Sequence, residues 1–149
     1  MLYARKRMNQ RPEPLLPVTT PDKLDYWCQT DLPLDVIFAR FATGFITRDS
    51  EMDAENVWCW AEGTTEDGQL SFNISRKHHA GHEPERTQLP VEPVSIRFIR
   101  HQPNLNDSEL GQKLANALQL EIFLGTMHYM GGDEFTFLAQ TSFQPAQHH

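Results

Sequence analysis

The stretch RKHHAGHEP places three histidines, His78, His79 and His82, within five positions and sets Glu83 beside the last of them. Histidine is the commonest neutral nitrogen ligand of a transition metal, and zinc needs several such groups converging on one point. His78 and His82 stand four apart, the spacing at which one helical face presents two ligands together. Gly81 falls between them and Pro84 follows, and both residues oppose a helix. Neither an H-E-x-x-H pattern nor an H-x-E followed by P-C-x-x-C occurs. His78, His79 and His82 are thus metal candidates that the local sequence does not hold together. The expectation is a polar connector with no metal and no cofactor.

Two other histidines deserve the same question. His128, in GTMHYMGGDEF, shares a strand face with Ile122, Leu124 and Met130, and His101 follows the strand VSIRFIR. A pair between them across a sheet would offer an acid and a base, although their spacing does not require it. With metal help, His78, His82, His101 and His128 are the residues that a small enzyme would use. G-x-S-x-G, a glycine-rich phosphate loop and a Walker lysine are all absent, and Ser71, Ser75, Ser95 and Ser142 have no base beside them in sequence. No catalytic residue is assigned on these grounds.

The carboxylates point elsewhere. Asp49, Glu51, Asp53 and Glu55 alternate along TRDSEMDAEN, which reads as an exposed acidic loop. Acid–base chemistry needs two carboxyl groups in unlike, buried surroundings, whereas charge complementarity needs exposure and placement. Trp58 and Trp60 follow directly on one side of the strand VWCWAEG. If Val57, Cys59 and Ala61 face a helix, the two tryptophans point away from it. Either the N-terminal segment or a partner must then cover them. Asp49, Glu51, Asp53, Glu55, Trp58 and Trp60 are the candidate partner-binding residues.

The totals agree with that preference. Twenty acidic against thirteen basic residues give a net charge of −7, which disfavours binding to nucleic acid phosphates and favours a basic protein partner. The basic residues of YARKRMNQR form only a thin patch. No apolar run approaches the length of a membrane span, and no secretory signal pattern opens the chain, so a cytoplasmic protein without a membrane partner is expected. Cys28 and Cys59 form no C-x-x-C pair and read as reduced, packed thiols. The 149 residues suit one domain, 1–149.

The elements that must carry these residues follow from patterning. RPEPLLPVTTP (11–21) is an extended, proline-marked connector. DKLDYWC after it suits a short helix begun near Thr20 with Pro21 at its first position. LDVIFARFATGFI (34–46) reads as a central strand apolar on both faces. VWCWAEG (57–63) and GQLSFNIS (68–75) form an antiparallel hairpin around Asp67 and Gly68. A long polar loop covers 76–93, and VSIRFIR (94–100) is a strand with Val94, Ile96 and Phe98 inward. NDSELGQKLANALQL carries an N-cap at Asn106 or Asp107 and an apolar stripe of Leu110, Leu114, Ala117 and Leu118. EIFLGTMHYM and FTFLAQTSF are strands joined by a tight GGDE turn, and 144–149 is a frayed tail. The fold class is α+β: a mostly antiparallel sheet of five or six strands with one main amphipathic helix on one face.

The stretch ELGQKLANALQLEIFLGTMHYMGGDEFTFLA resembles small bacterial immunity proteins of polymorphic-toxin and contact-dependent inhibition systems. There too an amphipathic helix feeds a β-hairpin in a small acidic α+β domain. The resemblance implies a cognate toxin as partner, blocked at its active site or basic surface, and carries over no individual residues. The leading expectation is a non-enzymatic inhibitor of a basic toxin or nuclease. The alternatives are the metal-dependent enzyme above, or a phage or accessory protein that forms homo-oligomers through an exposed sheet edge.

Overall fold

The computed structural model describes residues 23–79, 89–102, 104–131 and 134–146. The proline-rich connector at 11–21, the basic start of the chain and His82 lie outside them. Among the described residues seven strands, against the five or six expected, form one open antiparallel sheet: β1 (Lys23–Thr30), β2 (Thr47–Ala54), β3 (Trp58–Thr65), β4 (Leu70–Lys77), β5 (Glu92–Arg100), β6 (Ile122–Gly131) and β7 (Glu134–Phe143). Their order across the sheet is β2-β3-β4-β5-β1-β6-β7. Two helices, α1 (Leu34–Gly44) and α2 (Asp107–Leu118), complete the α+β fold. α1 carries the chain from the central β1 to the far edge, and α2 carries it from β5 over β1 to β6.

Three local expectations change. The described part of DKLDYWC, from Lys23, is the start of β1 and not a helix, because Tyr26, Cys28 and Thr30 alternate inward while Asp25, Trp27 and Gln29 point the other way. Residues 34–44 are α1 and not a strand. Ile37, Phe41 and Phe45 recur every four residues and are buried, while Asp35, Ala39 and Thr43 form the opposite, exposed stripe. The acidic loop TRDSEMDAEN is mostly β2, which pairs with β3 from Thr47 to Ala54. It looks like a loop because its side chains are exposed from Arg48 onward, as an edge strand permits.

Other expectations hold. β3 and β4 form the hairpin, with Trp60 opposite Ser75 and Ala61 opposite Ile74. Val94, Ile96 and Phe98 of β5 are fully buried. Asn106 is the N-cap of α2; its side chain accepts from the amides of Ser108 and Glu109 at 2.8 and 3.0 Å. The stripe of α2 is Leu110, Gly111, Leu114, Ala115 and Leu118, with Ala117 only half-buried. The expected polar loop at 76–93 is shorter at both ends, since Arg76 and Lys77 belong to β4 and Glu92 and Pro93 to β5. Residues 144–146, expected to be frayed, are instead held to α2: Gln112 donates to the carbonyl of Gln144 at 2.6 Å, and Asn116 accepts from the amide of Ala146 at 2.8 Å.

Both helices lie on one face of the sheet and enclose the core. Phe41 packs on Phe45, Phe72 and Phe98, with ring centroids 4.7–6.1 Å apart. Arg40 donates to the carbonyl of Leu118 at 2.6 Å, which sets a cation at the C-terminus of α2 and ties the helices together. The Tyr26 hydroxyl donates to the Asp107 carbonyl at 2.7 Å and fastens the first turn of α2 to the central strand.

Tyr26 and Cys28 sit side by side on that strand, two residues apart, and both are fully buried. Burial pushes the Cys28 thiol from 9.0 up to about 12, partly offset by the nearby Arg76 guanidinium, and pushes the Tyr26 phenol higher still. The unfolded chain therefore releases these protons at lower pH than the folded one. Stability from the pair is fully present below pH 9, the ordinary thiol value, and declines as pH rises toward 12. We expect urea midpoints to fall steadily above that point and the fall to be shallower in Cys28→Ala. A slope unchanged by that substitution would remove Cys28 from the alkaline transition.

Candidate partner-binding edge

The six candidate partner residues gather at one corner of the sheet. β2 is its outermost strand on that side, followed by β3. Glu51 stands opposite Glu62, and Asp53 stands opposite Trp60. Alternation along β3 puts Trp58, Trp60 and Glu62 on the face away from the helices, because Ala61 between them is fully buried on the helix side. Glu51 and Asp53 thus lie on the same face as the tryptophans, which are half-buried. Glu55 lies in the turn to β3, its amide donating to the carbonyl of Trp58 at 2.7 Å. Asp49, Glu51, Asp53 and Glu55 are all exposed.

Asp49 differs from the other three. It has a left-handed backbone, φ 51°, and lies in a break of register between Arg48 and Glu51. Aspartate tolerates that conformation better than most residues. The facing strand makes room with Gly63, where an added Cβ would come within 2.8 Å of the Ser50 Cα. The bulge takes Asp49 out of the ladder in which Glu51 and Asp53 pair with β3. Its nearest cation is Arg48, at 3.9 Å across solvent.

Glu62 is a member of this corner that sequence reasoning missed. The signal was present, since Glu62 shares the alternation of Trp58 and Trp60. Glu62 stands near the end of the expected strand VWCWAEG, and β3 runs on beyond it to Thr65. Glu62 accepts from the Asn73 amide at 3.3 Å, and Asn73 accepts from the Ser75 hydroxyl at 2.6 Å. Three exposed apolar side chains, Ile46, Met52 and Val57, border the acids.

The described histidines are drawn to separate tasks. The His78 ring Nδ1 lies 2.7 Å from the carbonyl of Glu55, and its backbone amide donates to the carbonyl of Val57, which braces the β2–β3 turn. His79 Nε2 lies 2.9 Å from Glu92, the carboxylate that also receives Arg76 at 3.2 Å. His101 and His128 are not brought together as an acid and base. His101 Nε2 lies 2.8 Å from the Ser71 hydroxyl, while His128 is exposed on β6 opposite Thr136. The Ser71–His101 contact was invisible in the sequence, where the two stand thirty positions apart. It is exposed, and among the described residues no carboxylate is hydrogen-bonded to that ring to orient it as a general base. Cys28 is a buried free thiol, and Cys59 is half-buried, its sulfur 3.7 Å from the Arg76 carbonyl.

Among the described residues no helix is long and apolar enough to cross a membrane, and no group of three or more histidine, cysteine or acidic side chains is placed to hold a metal ion. A scan against protein-family models, a search of curated proteins and a search of solved structures each find no match to this chain.

Proposed function

We propose that this protein is a non-catalytic binding protein, an inhibitor of the immunity type, that docks a basic protein on the β2–β3 corner. The observation that carries the reading is the pairing of Glu51 with Glu62 beside that of Asp53 with Trp60. Like charges directly opposite each other destabilise a sheet, so the folded chain holds a repulsion that a cationic partner relieves. The neighbouring tryptophans and the exposed Met52 and Val57 add apolar area of the kind found at the centre of interfaces. In this reading the partner is a cognate basic toxin or nuclease met in the cytoplasm, and nucleic acid is not bound.

The test begins with native mass spectrometry of the protein recovered from its host. A 1:1 complex with a basic protein is expected. Reversal of Asp49, Glu51, Asp53 and Glu55 to lysine should weaken that complex at least about 100-fold and flatten its salt dependence. Glu109→Lys with Glu121→Lys, exposed charges elsewhere, should leave it nearly unchanged. Equal losses from both sets would show only a net-charge effect and sink the assignment. Glu51→Lys alone makes a second, opposite prediction. It replaces a repulsive cross-strand pair by an attractive one, so the free chain should gain about 0.2–1 kcal/mol, read as a raised urea midpoint.

A further inference from the structure

The opposite edge of the sheet has a different character. β7 is its last strand, and from Phe135 to Phe143 it carries no charged residue, no proline and no glycine. Native edge strands are normally blunted by charge, proline or bulges, as β2 is by its acids and by the bulge at Asp49. The β6–β7 register breaks twice, between Tyr129 and Gly131 beside the turn and, within β7, where it shifts between Leu124 and Gly125 and leaves Gln140 unpaired. The shift divides the strand. Thr141 to Phe143 are fixed to the body of the fold, while Glu134 to Ala139 pair with β6 alone.

That outer part overhangs the sheet. Among the described residues β1 pairs with β6 only at Tyr26 and Trp27, opposite Leu124 and Phe123. Among the described residues the β6–β7 arm is a two-stranded ribbon from Thr126 onward, a form that is marginal in water by itself. On the helix side of the arm Thr126, His128, Met130, Thr136 and Leu138 are all exposed, with Met130 at 64% and Leu138 at 55%. The other side is braced at its base by Trp27, stacked on Phe123 and Phe137 at 4.6 and 4.3 Å. The arm is thus held in direction and left open along its outer edge.

We infer that β7 is a self-association edge, on which a second copy of this chain adds its own β7 in antiparallel register about a two-fold axis near Leu138. A charge-seeking partner has nothing to select here, and the net charge of −7 opposes self-association at most other places. On β7 two copies meet without repulsion. The contact brings Leu138 of each copy against the other and completes the backbone hydrogen bonds of both strands. It also closes after two copies, because the other sheet edge among the described residues, β2, is acidic and bulged and repels its own image.

The full-length protein should sediment as a dimer at high micromolar concentration and dissociate on dilution. Thr136→Lys with Leu138→Lys, both at exposed positions, should raise the dissociation constant at least tenfold while leaving the far-ultraviolet circular dichroism unchanged. Met52→Lys with Ala54→Lys on β2 should leave the dimer intact. Hydrogen exchange on the unmodified chain gives an independent reading, since alternate amides of β7 should gain protection as concentration rises. A monomer at every concentration overturns the proposal, as do growth beyond two copies, a dimer insensitive to the β7 lysines, or a dimer lost through the β2 lysines. The partner-binding corner lies at the other end of the sheet, so its test stands or falls separately.

Discussion

Arg76→Ala should cost about 3–5 kcal/mol, a large fraction of the stability of a domain this size. Arg76 is fully buried, in line along β4 with Leu70, Phe72 and Ile74 on the helix side of the sheet. Its guanidinium donates to the carbonyl of Leu32 in the β1–α1 loop, to the carbonyl of Pro90 at 3.3 Å, and to Glu92 at the start of β5 at 3.2 Å. One side chain therefore fastens two chain segments and one strand end that share no other described hydrogen bond with it. Alanine takes the guanidinium from two carbonyls, leaves Glu92 with the His79 ring alone, and opens a cavity besides. Replacing both charges together, Arg76→Met with Glu92→Met, should recover much of the loss, because a buried pair exchanged for packed apolar side chains is often neutral. Urea denaturation of the two variants decides the matter. A loss below about 1 kcal/mol for Arg76→Ala would mean that water replaces the guanidinium at little cost.

Gly111→Ala is expected to destabilise the protein by about 1–2 kcal/mol, against the direction that helix propensity alone would give. In a solvent-facing helix position this exchange gains about 1 kcal/mol. Here one edge of the Phe143 ring abuts the helix at Gly111, and an added Cβ would sit 2.6–2.7 Å from its Cδ2 and Cζ atoms. The ring must give way, and Phe143 is the residue that closes β7 on to α2. Phe143→Leu should cost stability in the natural background and less in the Gly111→Ala background, because the smaller side chain yields the space. A double-mutant cycle measures that coupling. Additive effects would show that the helix and the strand end move apart freely, and the contact would then be incidental.

These two positions have a bearing on function. Arg76 holds the region from which His78 and His79 leave β4, and His78 in turn braces the turn that carries Glu55. Gly111 and Phe143 fix the body of β7, from which the arm projects. A loss of binding or of dimerisation in variants at either position would follow from displacement of an edge and not from lost contact with a partner. The charge reversals on β2 and the lysines on β7 avoid that confusion because they change exposed side chains only.

The sequence by itself determined what depends on neighbours within a few residues. The β3–β4 hairpin, β5, α2 with its Asn106 cap, and the β6–β7 pair were all legible, because each has an unambiguous period and its own turn or cap signals. The exposure of Asp49, Glu51, Asp53 and Glu55 was legible for the same reason. What only the tertiary structure decided was state and adjacency. Residues 34–44 have a short apolar run whose helical and extended readings differ little locally, and the need to cross from the central β1 to the far edge resolves it as a helix. TRDSEMDAEN has no apolar face, so nothing in it announces a strand; it extends because β3 offers a free edge on which its backbone can pair. DKLDYWC became a central strand through partners about seventy and one hundred residues away. The same long-range pairing set Glu51 against Glu62 and Ser71 beside His101, joined Arg76 to Leu32, and left β7 as an edge. Backbone pairing at such separations is fixed by the whole sheet, so these juxtapositions have no local signature.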